Sequence, residues 1–280
     1  IYIMRKTSWS FLCLYLLQTV NYAFVNMKPI IRVNINDKHQ FNNTKYMTIT
    51  PGGVAGFYSL GVCNYIKEHY DLSSYSFLGA SAGAWNSMVC SYKGSSHDFI
   101  KTLFNDKSIS KTATIDELQY NLKQHILERY TINDFDVKRL HITICEVGQF
   151  FIKSKVINTF KNLETLLDCC IVSSHIPYIT SGNLIKVYDN KITFDGGLLS
   201  FPPKDKYHHI IISPNMYDPD MLGNMIVNMF KRNITKDSLY ELFIQGYTDA
   251  SLHKEDLDDI FLPENNYINL HDNEFEIIPW

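Results

Sequence analysis

The chain has 280 residues, 45% of them hydrophobic and 20% charged, which is enough apolar side chain to bury the core of one α/β domain. A formal charge of -3 and a sequence pI near 6.4 leave no basic excess, and this argues against nucleic acid as a partner.

From Met4 the chain reads "MRKTSWSFLCLYLLQTVNYA": two cations, an apolar run from Trp9 to about Val20, then a small residue at Ala23. That is the layout of a secretory-type signal, so residues 1–24 are expected to be a targeting segment, leading to the secretory pathway, an endomembrane or an organelle. Asn21 stands where such segments prefer a small residue. A first strand or helix of the fold, or an uncleaved anchor, are the alternatives. A polar linker over 25–44 follows, and the domain proper is expected over 45–280. Cys13 lies in the targeting run, while Cys63, Cys90, Cys145, Cys169 and Cys170 lack C-x-x-C spacing and most of them, in apolar sequence, read as buried thiols. In an oxidising compartment a disulfide becomes an option, and Asn42 and Asn233 become glycan acceptors.

"YMTIT" reads as a buried strand ending at the glycine-rich "PGGVAG" of 51–56. A helix is expected over 57–70, a second strand in "SYSFLG", and a helix in "AWNSMVCSYKG" stopped by Gly94. Strand, glycine turn and helix, twice over, is the rhythm of a parallel sheet wrapped by helices, with sites at the carboxyl ends of the strands. Helices are expected at 96–105 and 115–130, strands in "RLHITICEV" and "QFFIKS" on either side of Gly148, and a helix in "NLETLLDCCIVSS". "LIKVYDNKITFDGG" predicts a hairpin turning at Asp189 and Asn190. "HHIIIS" predicts a late strand, and helices at about 220–231 and 236–253 lead to an acidic, aromatic tail. The first of these two carries Met221, Leu222, Met225, Ile226, Met229 and Phe230 on one side, a stripe suited to a core or to a lipid surface.

The chemistry sits at the turns. In "GASAG", Gly79 and Gly83 leave room for strand and helix to meet, so that Ser81 is presented as a nucleophile on a sharp elbow. A serine hydroxyl needs a base and a site for the developing oxyanion. Gly52, Gly53 and Gly56 permit a tight turn whose amides can point into one concavity, helped by the helix dipole, as a site for an oxyanion or a phosphate; no Lys-Ser/Thr pair follows the loop as a nucleotide-binding P-loop requires. For the base, His175, His208, His209, His253 and His271 are available to a Ser-His-Asp triad, with His175 the best placed of them. The other choice is Asp195 in "FDGG", at a strand end, where Gly196 and Gly197 permit close backbone approach.

Taken together, the glycine loop, "GASAGA" at 79–84, "SHIP" at 174–177 and "DGG" at 195–197, in that order, resemble patatin-like phospholipases, most closely the branch that includes adipose triglyceride lipase. The resemblance covers roughly 45–205. It implies a three-layer α/β/α fold with a mainly parallel sheet, a Ser81–Asp195 dyad without histidine, and an oxyanion hole from Gly52, Gly53 and Val54. It implies a lipase or phospholipase acting on a glycerolipid at a membrane or lipid-droplet surface, with no metal or organic cofactor. Pro51 departs from the family pattern, because it replaces a usual glycine and has no amide hydrogen to donate. Ala55 stands where plant patatins carry arginine. The rival readings are a histidine-dependent esterase and a non-catalytic lipid-binding protein.

Overall fold

A computed structural model describes residues 45–110, 114–148, 151–199, 201–202, 208–217 and 235–261. The expected targeting segment and linker, Asn42, Asn233, the Met-rich helix of 220–231 and His271 lie outside the described residues.

The protein is built on a seven-stranded sheet in the order β5-β6-β3-β2-β1-β7, with β4 also on β3. The parallel heart is β7 (His208–Ile212), β1 (Lys45–Ile49), β2 (Tyr75–Ala80) and β3 (Leu140–Val147). Helices lie on both sides of it. Alternation along the strands divides the residues between the faces. Met47, Ile49, Phe77, Ile142 and Ile144 enter the main core, while Leu78, Ala80 and Phe201 form a smaller cluster with Tyr46.

The edges of β3 decide where the chain ends of β2 and β6 go. Along one edge β3 pairs with antiparallel β4 (Ile152–Ile157) over Ile142–Val147. Its other edge is shared: Leu140–Thr143 pair with β2, then Cys145 and Glu146 pair with antiparallel β6 (Lys191–Phe194). The carboxyl ends of β2 and β6 therefore meet head to head against the middle of β3. β5 (Lys186–Tyr188) completes a hairpin with β6 through Asp189 and Asn190, at φ 49° and 59°, as the two-residue turn predicts.

Capping residues set the helix starts. The helices are α1 (Gly56–His69), α2 (Ala82–Ser91), α3 (Ser96–Asn105), α4 (Lys107–Ser110), α5 (Ile115–Arg129), α6 (Leu163–Ser173), α7 (Lys236–Leu252) and α8 (Lys254–Phe261). Capping boxes open α5 at Thr114 with Glu117, α6 at Asn162 with Thr165 and α7 at Thr235 with Ser238. α1 and α7 pack backbone to backbone: a Cβ on Gly61 would lie 2.0 Å from the Phe243 carbonyl oxygen, and one on Gly246 the same distance from that of Tyr58.

Three boundaries differ from expectation. α2 ends at Ser91, not at Gly94, because Tyr92 turns extended to bridge Phe135. β4 begins at Ile152 and runs to Ile157, past the end of "QFFIKS", as an exposed edge strand whose pairing with β3, not its hydrophobicity, sets its length. The acidic segment from Lys254 forms α8, which buries Leu257 and Phe261 one turn apart, with Phe261 against Tyr70 and Tyr75.

Candidate active site

Ser81 is the single residue between β2 and α2. Its backbone has φ 57° and ψ -129°, a region that costs a non-glycine residue roughly 1–3 kcal/mol and persists only where the surroundings over-determine it. They do so here. The Ser81 amide donates to Ser173 Oγ at 2.9 Å, and the Ala84 amide donates to the Ser81 carbonyl at 2.9 Å. A Cβ on Gly83 would lie 2.0 Å from the Ile49 carbonyl oxygen, and one on Gly79 would lie 2.1 Å from that of Gly83. The two glycines predicted for the elbow are thus forced by close approach of β1, β2 and α2.

Asp195 arrives from the opposite direction, at the end of β6. Its amide donates to the His175 carbonyl at 2.8 Å, and the Gly196 amide donates to the Ser173 carbonyl at 2.9 Å. A Cβ on Gly196 would come within 1.9 Å of the Thr143 carbonyl oxygen, so the turn lies flush on β3. Asp195 Oδ1 accepts the Gly197 amide at 2.7 Å, while Oδ2 is buried and has no hydrogen-bond partner among the described residues. Burial pushes the carboxyl up to about 6, opposed by the neighbouring Ser81 hydroxyl and the Gly197 amide. Ser81 is close enough to favour the ionised form, yet no well-formed hydrogen bond joins the two side chains.

The glycine loop supplies the third wall. Gly53 has φ 52°, and a 3-10 turn over Gly53–Ala55 leads directly into α1. The opening amides of such a turn have no intrahelical acceptor and sit at the positive end of the helix dipole. Gly53 and Val54 line the cleft beside Ser81, and a Cβ on Gly52 would lie 2.8 Å from Pro214 Cγ. Asn86 of α2 donates to the Gly56 carbonyl at 2.9 Å and ties the loop to the elbow helix. The Pro51 ring packs over Gly197, where a Cβ would lie 2.3 Å from Pro51 Cγ, so this proline forms part of the wall.

These parts meet in an open cleft of about 860 Å³. Its wall is mainly apolar, with Phe57 and Leu60 from α1, Trp85 from α2, Ile115, Leu118 and Leu122 from α5. Among the described residues that line it, Asp195 carries the single ionisable side chain. None of the described histidines lines it. His175 is buried behind, its ring 3.4 Å from both the Leu184 carbonyl and the Thr180 hydroxyl. His209 bonds Thr48 at 2.7 Å, and His253 stacks on Tyr217.

Sequence reasoning missed Ser173, which touches both halves of the site, and the role of the His175 backbone as the acceptor that holds Asp195. A serine in the last turn of an apolar helix carries no local signal of that kind. It also missed α5 as a cleft wall, although its leucines three and four apart announce an apolar stripe. Among the described residues, Cys63, Cys90, Cys145, Cys169 and Cys170 are buried free thiols, none of them in the cleft. No described helix is long and apolar enough to cross a membrane. Neither protein-family models nor curated proteins give a match to the chain.

Proposed function

We propose that the protein is a serine hydrolase of carboxylic esters that works through a Ser81–Asp195 dyad. The observation that carries this reading is the pairing of a strained, buried Ser81 with a buried Asp195 whose Oδ2 is unpartnered, in a cleft where no other described lining residue carries a charge. Within that class we read it as a patatin-like lipid acyl hydrolase, because an uncharged apolar cleft suits a fatty-acyl chain. The substrate is a glycerolipid, triacylglycerol or phospholipid, met at a lipid surface that the protein reaches peripherally through its secretory-type N-terminus.

Ser81 Oγ attacks the ester carbonyl carbon as its proton passes to Asp195 Oδ2. The carbonyl oxygen becomes an oxyanion that the Gly53 and Val54 amides, which line the cleft, receive; Pro51 has no amide hydrogen to add. Collapse of the tetrahedral intermediate breaks the bond to the leaving alcohol, which takes the proton back from Asp195. Water then attacks the acyl-enzyme, giving its proton to Asp195; collapse of the second tetrahedral intermediate breaks the bond to Ser81 Oγ, which takes that proton back from Asp195 as the fatty acid leaves. An aspartate is a weak base in water, and its rise to about 6 by burial brings its affinity toward the range useful for this work.

The test is the intact mass of the full chain after treatment with a fluorophosphonate. One adduct on the wild type, absent from Ser81→Ala and Asp195→Asn, supports the dyad. No adduct on folded wild type overturns the hydrolase in favour of a lipid-binding protein, and an adduct that survives Asp195→Asn returns the base to a histidine.

A further inference from the structure

We infer that Ser173 is a positioning residue that sets the nucleophile against its base, and that by doing so it removes the nucleophile's own amide from the oxyanion hole. The inference rests on the proposed hydrolase chemistry but is carried by the backbone geometry of α6.

Ser173 is wholly buried at the last position of α6. Its hydroxyl makes two bonds of fixed polarity. Oγ accepts the Ser81 amide at 2.9 Å and donates its proton to the Thr143 carbonyl at 2.7 Å, so neither bond can reverse. Its carbonyl accepts the Gly196 amide at 2.9 Å, one residue after Asp195. A single residue thus grips β3, the elbow and the aspartate turn. Two residues on, the His175 carbonyl takes the Asp195 amide at 2.8 Å. The two catalytic side chains come from opposite chain directions, and the segment 173–175 is hydrogen-bonded to the backbone of both.

Two consequences follow. Because the Ser81 amide is already spent on Ser173, it cannot stabilise an oxyanion as a nucleophile's own amide does in some serine enzymes, and the stabilisation falls to other amides that line the cleft, Gly53 and Val54 among them. And because Ser81 is held at a positive φ, the bond from Ser173 opposes relaxation of that strain, which would swing Oγ away from Asp195. Displacement of a reacting group by about 1 Å is enough to cost roughly 10²-fold in rate. The two bonds cannot both form without an oxygen at the β-carbon of residue 173.

The full-length Ser173→Ala protein tests this with two readouts. Turnover of a soluble short-chain ester is expected to show kcat lowered by roughly 10²-fold and KM changed by less than about twofold, with fluorophosphonate labelling slowed in step. Amide hydrogen exchange in the peptide containing Ser81 is expected to speed up by about tenfold or more. Ser173→Thr, which keeps the hydroxyl, is expected to restore both in part. If Ser173→Ala does not fold, Ser173→Cys, of similar volume and with only a weak donor, carries the same measurements. Unchanged kcat, a loss confined to KM, or unchanged exchange at Ser81 would each overturn the inference. The exchange arm needs no activity: an inert wild type would remove the hydrolase reading while Ser81 exchange still decides whether Ser173 pins the elbow.

Discussion

On the proposed chemistry, Asp195 sets what a residue does for folding against what it does for catalysis. Its carboxyl is raised from an ordinary 3.8 to about 6, so the folded protein holds this proton more tightly than the unfolded chain. The resulting stabilisation is complete below about 3.8 and is lost as pH rises through about 6. At pH 8 the buried charge costs up to about 3 kcal/mol on this linkage. Asp195→Asn is therefore expected to raise the melting temperature at pH 8 by several degrees and to leave it nearly unchanged at pH 3.5, while lowering kcat by about 10³-fold or more. For the wild type, kcat/KM should rise with pH to a plateau with its midpoint near 6, because the base works only when ionised. Calorimetry at the two pH values and a pH profile on a soluble ester check both statements.

Element by element, the site is an agreement between pieces that each have another reason to exist. α5 is capped at Thr114 and presents Ile115, Leu118 and Leu122 to the cleft, so this helix face should decide how much acyl chain fits. Leu118→Trp is expected to shift preference from long to short acyl esters by about tenfold or more, measured as the ratio of kcat/KM for the two, with fluorophosphonate labelling retained. The turn after β6 is less forgiving. Gly196→Ala drives a Cβ into the Thr143 carbonyl and should cost at least ~2 kcal/mol by chemical denaturation, together with loss of labelling.

The same contrast explains what could be read in advance. The elbow was legible because close backbone approach demands glycine at fixed spacing, and the β5–β6 hairpin because two successive positive φ values select Asp189 and Asn190. α8 was not, since its acidic composition hid the two buried side chains that fasten it. Nor was the grip of Ser173, whose partners at positions 81, 143 and 196 are far away along the chain and leave no mark on its neighbours. Pro51 could be seen as a missing donor, but its packing on Gly197 needed the sheet.

At the scale of the whole molecule, α7 closes the architecture by lying in the groove that Gly61 and Gly246 open, with the Tyr58 hydroxyl donating to Asp249 at 2.8 Å. Gly246→Val places a branched side chain against the Tyr58 carbonyl and is expected to lower the melting temperature by roughly 5–10 °C. Since α1 also begins at the glycine loop, labelling of Ser81 in this variant should weaken well below its melting point, and a thermal series of labelling reactions would reveal it.

The head-to-head meeting of β2 and β6 on β3 has a kinetic meaning. Nucleophile and base are separated by more than one hundred residues of chain, and their encounter requires three strands and the end of α6 to have closed around Thr143. Contacts of such long range are among the slower ones to form. On the proposed chemistry, labelling of Ser81 is thus a clock for refolding: pulses of fluorophosphonate after dilution from denaturant would count only those chains in which the central sheet has already joined, and would lag behind the recovery of helical signal.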